Sequence, residues 1–248
     1  MQNLQLCTGV SDDFAFCIFR SRGMSAIEQE EHPHHPFLQH HFEDMAQQHE
    51  ASTLGMWAFL TTEILFFGGV LMAYWVYRLM YPTAWSVGAH QQNTMAGGIN
   101  TLVLIVSSLT MALAVRNAQL GSRRGTVGML VATLFFGATF LSIKGWEYHQ
   151  HWKEGLFPGA AWHWNEVPAL APKVQLFMVF YWGMTGLHAL HMVIGAGLLL
   201  WLIIRAARGH FGPGYYAPVE VMGLYWHFVD IVWIFLFPFL YLIHGVHH

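Results

Sequence analysis

Five titratable side chains lie inside stretches that are otherwise apolar, and their spacing is the first clue to chemistry. Glu63 sits in Trp57-Ala58-Phe59-Leu60-Thr61-Thr62-Glu63-Ile64-Leu65-Phe66-Phe67. His188 and His191 occupy Gly186-Leu187-His188-Ala189-Leu190-His191-Met192, at i and i+3 and so on one face of a helix. His227 and Asp230 repeat that spacing in Tyr225-Trp226-His227-Phe228-Val229-Asp230-Ile231-Val232-Trp233. Counted from Val221, Asp230 lies roughly 14 Å along a helix rising about 1.5 Å per residue, near the middle of a hydrocarbon core about 30 Å thick. Glu63 lies equally deep in its own run. An unpaired carboxylate at that depth costs at least about 2.5–3.5 kcal/mol, so each should have a partner and a purpose.

The residue types leave several chemistries open. Glu63 reads as a neutral carboxylic acid bonded to a neighbouring helix, as a proton-handling group, or as a ligand contact. Paired imidazoles at i and i+3 can bind metal, but two nitrogens alone make an incomplete site, and polar links between helices are the simpler use. For His227 and Asp230 the plain expectation is a carboxylate–imidazole bond along one helix or across to the next. All five residues are expected near one depth, which suggests a buried polar layer in which Glu63 bonds a histidine of the fourth or fifth span. An interhelical hydrogen bond in a membrane contributes on average only about 0.6 kcal/mol, so stability alone is a thin motive for such a layer.

The elements that must carry these groups follow from composition. The 248-residue chain is 55% hydrophobic, 16% aromatic and only 10% charged. Soluble domains carry roughly 25% charged residues, so an all-α polytopic membrane protein is expected. A net charge of -3 offers no basic footprint for nucleic acid. Five apolar stretches are long enough to cross a bilayer, at about 54–79, 94–115, 126–148, 174–204 and 221–243. The fourth is long for one crossing and too short for two, so it should tilt or project. Residues 1–53 read as a polar tail ahead of a five-helix domain over 54–248. Tyr81-Pro82-Thr83, Gly121-Ser122-Arg123-Arg124-Gly125, Phe157-Pro158-Gly159 and Gly212-Pro213-Gly214 are loop signals, because Pro fixes φ and Gly permits positive φ. The connection from about His149 to Lys173 holds three tryptophans and suits the membrane interface.

Arg20, Arg22, Arg116, Arg123, Arg124, Arg205 and Arg208 fall on the N-terminal side of the membrane, against Arg78, Lys144, Lys153 and Lys173 opposite. That bias predicts a cytoplasmic N-terminus and an outer C-terminus. Both cysteines, Cys7 and Cys17, lie in the tail, which excludes a disulfide core or a Cys-based metal site in the membrane body. The first 23 residues show no apolar run with a basic flank and cleavage site, so no signal peptide is expected, and Met24-Ser25-Ala26 reads as a plausible start. Glu147-Tyr148 ends the third predicted span, where water contact is expected and an interfacial anchor is as open a reading as a functional site. Asn100-Thr101 and Ser107-Ser108-Leu109-Thr110 supply small polar residues suited to close helix packing. The histidines of the tail (His32, His34, His35, His40, His41, His49) and of the terminus (His244, His247, His248) read as solvated segments rather than chelators. No phosphate-binding glycine loop, nucleophile elbow or metalloprotease motif is present.

Taken together, these motifs resemble the cytochrome c oxidase subunit III family. Tyr225 through Trp233, preceded by Val219-Glu220, closely resembles the family's last-helix signature, which brings in Trp226 and Trp233. Thr185-Gly186-Leu187-His188-Ala189-Leu190-His191 resembles its Thr-Gly-Phe-His-Gly-x-His motif, departing at Leu187 and Ala189. Thr62-Glu63-Ile64-Leu65-Phe66-Phe67 is similar to its Ser-Glu-x-x-Phe-Phe pattern, and Asn100-Thr101 and Glu147-Tyr148 recur in order. The resemblance covers about 54–243. It implies a non-catalytic subunit of a haem–copper terminal oxidase in a bacterial plasma membrane, beside catalytic subunit I and subunit II. It further implies no haem or copper on this chain, phospholipid between its helices, and support of proton uptake by its partner. Many members have two more helices before the segment matching this first span, so the chain resembles a shorter five-helix form, and a lipid cleft built by those two helices is not expected. A related subunit of a quinol oxidase or nitric oxide reductase, a stand-alone proton channel, and a haem protein ligated through His188 or His191 are the competing readings.

Overall fold

The computed structural model describes residues 42–159, 162, 164 and 168–242. The readings of Cys7, Cys17, Met24, the histidines from His32 to His41, and His244, His247 and His248 lie outside these residues. By internal contacts the chain divides into residues 1–45 and residues 46–248, and the fold below is that of the second unit.

Its helices are α1 (Met45–Met80), α2 (Pro82–His90), α3 (Thr94–Gln119), α4 (Arg123–Lys153), α5 (Ala171–Ala207) and α6 (Ala217–Phe237), with a 3₁₀ turn at Pro168–Leu170 and a π turn at Pro238–Leu242. Among the described residues, five segments are long and apolar enough to cross a membrane: α1, α3, α4, α5 with its 3₁₀ turn, and α6 with its π turn. No strand occurs among the described residues.

Every span runs past the apolar stretch that announces it. α1 starts at Met45 rather than near Leu54, so the last part of the expected tail is helical. Ala46, Gln47, Gln48, Glu50 and Ala51 are good helix formers, and extending an existing helix needs no new nucleus. α4 likewise continues to Lys153, which shortens the connection expected from His149. Tyr81-Pro82-Thr83 is not a plain loop, because Pro82 opens α2. Proline suits the first helical turn, where its missing N–H has no partner to lose, and Pro172 and Pro218 open α5 and α6 in the same way. Pro238 has the opposite effect at the far end of α6, where it removes a donor from the i→i−4 ladder and the chain passes into the π turn.

α3 and α4 form the most extensive helix pair, joined by a tight turn in which Gly121 takes φ +72°. Thr110 and Thr133 hydroxyls meet at 2.9 Å across this pair, so the small polar residues of α3 serve close packing. α6 packs against α3, α4 and α5, with Trp226 as its central wedge. A Cβ at Gly137 of α4 would lie 2.9 Å from Trp226 Cη2, and one at Gly195 of α5 would lie 3.0 Å from its Cζ3. Glycine at both positions lets the indole sit between the two backbones, where its Nε1 donates to Ser107 Oγ at 3.0 Å.

α1 stands apart from the bundle and is held by side chains. The Tyr74 hydroxyl donates to the Phe239 carbonyl at 2.5 Å, and Phe67 lies edge-on to His191 at 5.3 Å. Two apolar clefts flank the helix. One, of about 500 Å³, lies between Trp57, Phe67, Leu71, Phe228 and Phe235. The other, of about 600 Å³, is lined by Glu63, His191, Trp201, Met222 and Tyr225.

Candidate functional site: three groups of buried polar side chains

Glu63 of α1 and His191 of α5 meet at the second cleft, with Glu63 Oε2 3.2 Å from His191 Nε2. The other ring nitrogen, Nδ1, lies 2.9 Å from the Leu187 carbonyl. A carbonyl only accepts, so Nδ1 carries a hydrogen and Nε2 of a neutral ring is bare. The two side chains thus approach without hydrogen-bond geometry, since Glu63 Oε2 makes no hydrogen bond among the described residues, and they are 14% exposed for His191 and 18% for Glu63.

His188 is one turn away yet makes no contact of this kind. Its Nε2 donates to the Val229 carbonyl of α6 at 3.1 Å, and its ring packs against Phe140 and Trp233. The two imidazoles are thus engaged with different partners rather than turned to one ligand point. Among the described residues, no three His, Cys, Asp or Glu side chains gather in a way that could hold a metal.

His227 and Asp230 form a second group, on the α3 side of α6. The expected bond between them is replaced by one between helices: His227 Nδ1 lies 2.6 Å from Ser108 Oγ of α3. Asp230 is 3% exposed and lies beside the Ser108 hydroxyl, within its hydrogen-bonding reach. The five residues of the expected polar layer therefore fall into separate groups, with Glu63 beside a histidine of α5. Glu63 and His191 face one side of the bundle, His227 and Asp230 another, and His188 is buried in the core.

The third group corrects the reading of Glu147-Tyr148 as a water-facing anchor. Because α4 runs on to Lys153, Glu147 is well inside the helix and is 3% exposed. Lys144 Nζ donates to Glu147 Oε2 at 3.1 Å, to the Tyr181 hydroxyl at 3.1 Å and to the Tyr241 hydroxyl at 2.7 Å. Those two hydroxyls donate in turn to Glu147 Oε1, at 2.7 and 2.6 Å. The ring of bonds uses all three ammonium hydrogens and ties α4, α5 and the π turn together. Tyr148 bonds Thr185 of α5 at 2.6 Å, and Trp233 Nε1 donates to Thr101 Oγ1 at 3.1 Å. The i, i+3 spacing of Lys144 and Glu147 was visible in sequence, but nothing there pointed to Tyr181 or Tyr241. Asn100 is fully buried, and its amide makes no bond among the described residues.

These features define a class: a five-span helical membrane protein whose ionisable side chains are turned inward. Comparison with known proteins then narrows it. The family model described as cytochrome c oxidase subunit III matches residues 169–245. The chain is 33% identical over 202 residues to cytochrome c oxidase subunit 3 of Thermostichus vulcanus, a match covering 81% of this chain and 92% of that protein. With the same subunit of Corynebacterium diphtheriae it shares 29% identity over 193 residues, covering 77% of this chain and 87% of that one. A heme-copper oxidase subunit I+III of Aeropyrum pernix is 30% identical over 194 residues, covering 76% of this chain but only 22% of that longer polypeptide. The chain belongs to the cytochrome c oxidase subunit III family.

Proposed function

We propose that this chain is the non-catalytic subunit III of a proton-translocating haem–copper terminal oxidase in a bacterial plasma membrane, with its N-terminus cytoplasmic. It packs beside the catalytic subunit I, near subunit II, and the haem and copper belong to those partners. Its contribution is to stabilise the catalytic subunit and to support proton uptake during oxygen reduction. The observation that carries the proton part is the Glu63–His191 pair, a carboxyl and an imidazole 3.2 Å apart at the edge of a cleft. Phospholipid acyl chains fill the two apolar clefts beside α1.

The test replaces Glu63 by glutamine in the assembled oxidase. Glu63→Gln removes the titratable carboxyl but keeps the shape, so the complex should assemble at near wild-type level while sustained turnover falls and turnover-linked inactivation quickens. Loss of the assembled complex in this variant would make Glu63 a structural residue and end the proton reading.

A further inference from the structure

The buried face of α4 is a single heptad stripe, and its two ends differ in kind. Thr126, Leu130, Thr133, Gly137 and Phe140 fill the first five positions, all of them apolar or small. Lys144, Glu147 and His151 fill the last three, at 2–4% exposure, and the next position along the stripe is Glu154, which is exposed. Four titratable residues thus follow one another at i, i+3, i+7 and i+10, where neighbours on one helix face stand about 5–6 Å apart at Cβ. The ten residues from Lys144 to Glu154 rise about 15 Å, half the thickness of a hydrocarbon core. The stripe therefore runs from the depth of the membrane to its edge.

A buried ion pair that served packing alone would be sealed by apolar residues on both sides. Phe140 provides that seal towards the interior, with its ring 4.9 Å from that of Trp233. Along the stripe no apolar residue stands between the Lys144–Glu147 pair and the aqueous end of α4. His151 occupies that place, its ring 5.4 Å from the Tyr181 ring and within reach of the Gln91 backbone. A leucine or phenylalanine would pack there at less cost than an imidazole. The charges of Glu147, Glu154 and Lys144 all act on the ring, and Tyr148, Tyr181 and Tyr241 complete the titratable groups around Glu147.

We propose that the Lys144–Glu147–His151–Glu154 stripe is a proton-exchange route, with His151 as the relay between the aqueous phase at the end of α4 and the buried Lys144–Glu147 pair. Imidazole is the side chain whose charge changes in the physiological range, which suits it to pass protons. Its ring takes a proton from water beside Glu154 and becomes imidazolium. The imidazolium then gives a proton to the Glu147 carboxylate, directly or through one water, leaving a neutral ring and a carboxylic acid while Lys144 keeps its three hydrogens. The reverse transfer returns the proton, and no electron moves. While Glu147 is neutral its attraction for Lys144 is lost, so the tie among α4, α5 and the π turn follows the acidity of that phase. The route stands on the geometry of α4 and goes beyond the reading of the chain as an oxidase subunit.

The test follows hydrogen–deuterium exchange of the cluster by infrared spectroscopy, on films of the assembled oxidase perfused with deuterium oxide. The signal is the phenolic C–O–H band that Tyr241→Phe removes, since that hydroxyl donates to Glu147. In the wild type it should exchange faster at about pH 6 than at about pH 8, because imidazolium is the donor. His151→Phe and His151→Gln should both slow it by roughly tenfold or more, since neither side chain can carry a proton. Glutamine is polar enough to admit water, so slowing in both variants assigns the relay to the imidazole itself. A wild-type rate that is flat or rises between those pH values, as entering hydroxide would give, overturns the route without any variant. A rate in either His151 variant equal to that of the wild type overturns it as well.

Discussion

Replacing Lys144 by methionine should be among the most damaging single changes in the membrane body. The substitution keeps most of the volume but deletes the ammonium that serves three acceptors and sits 5.1–5.4 Å from the ring centroids of Tyr148, Tyr181, Trp233 and Tyr241. Removing one member of a buried ion pair costs about 3–5 kcal/mol, because the other charge is left uncompensated. Glu147 would keep its two tyrosine donors, which places Lys144→Met at the low end, about 3 kcal/mol, or roughly a hundredfold in the unfolding equilibrium. Glu147→Leu should cost a similar amount by stranding the ammonium. The double variant should be milder than either single one: no charge then remains, and the Tyr181 and Tyr241 hydroxyls, already 3.4 Å apart, can bond each other. Reversible unfolding of the purified protein in mixed micelles, followed by far-ultraviolet circular dichroism, measures all four forms. A Lys144→Met variant within about 1 kcal/mol of wild type, or a double variant as costly as the sum of the singles, would refute this account of the cluster.

Three further outcomes follow from packing. Gly195→Val should destabilise by about 1–3 kcal/mol, since its Cβ would lie 3.0 Å from the buried Trp226 indole; Gly128→Ala, with nothing within 4 Å, should be neutral or stabilising in the same unfolding assay. Tyr74→Phe deletes the bond to the Phe239 carbonyl, so it should cost about 0.5–1.5 kcal/mol and speed amide hydrogen exchange around the π turn, while unchanged exchange there would show that α1 does not brace it. Trp233→Phe removes the donor to Thr101 and part of the aromatic wall around Lys144, and a loss of roughly 1–3 kcal/mol is expected, read from the same denaturation curves.

What could be read in the sequence was whatever depends on runs and spacings within one helix. Apolar length located five spans, and the depth of Glu63 called for a partner, to which the nearest approach is His191 at 3.2 Å. Helix ends were less legible, because backbone propagation carries α1 and α4 beyond their apolar stretches. That error had a consequence: a span taken to stop at Tyr148 made Glu147 look like a surface residue. Groups assembled from several helices were legible only in part. Lys144 and Glu147 share one helix face, but Tyr181 and Tyr241 join them through tertiary packing that no spacing encodes. The short helix α2 was hidden because Pro82 signals a turn and a helix start equally well.

The Tyr225–Trp233 run also divides by helix geometry. At about 100° per residue, Trp226, Val229 and Trp233 fall within roughly 60° of one another, and all three are buried. His227, Ile231 and Ile234 fall on a separate stripe, the one that lines the groove beside α3. Asp230 lies between the stripes, about 40° from Trp226 and 60° from His227 by the same count, so one residue touches both the core and the groove edge. A carboxyl used only to hold the bundle together would be bonded inside it, as Glu147 is. A carboxyl used only to meet water would be exposed. Asp230 is almost fully buried and stands beside the Ser108 hydroxyl of α3, at the junction of core and groove. The signature is best understood as two faces on one helix, with the tryptophans fixing α6 in the bundle and the histidine and aspartate set along the groove beside α3.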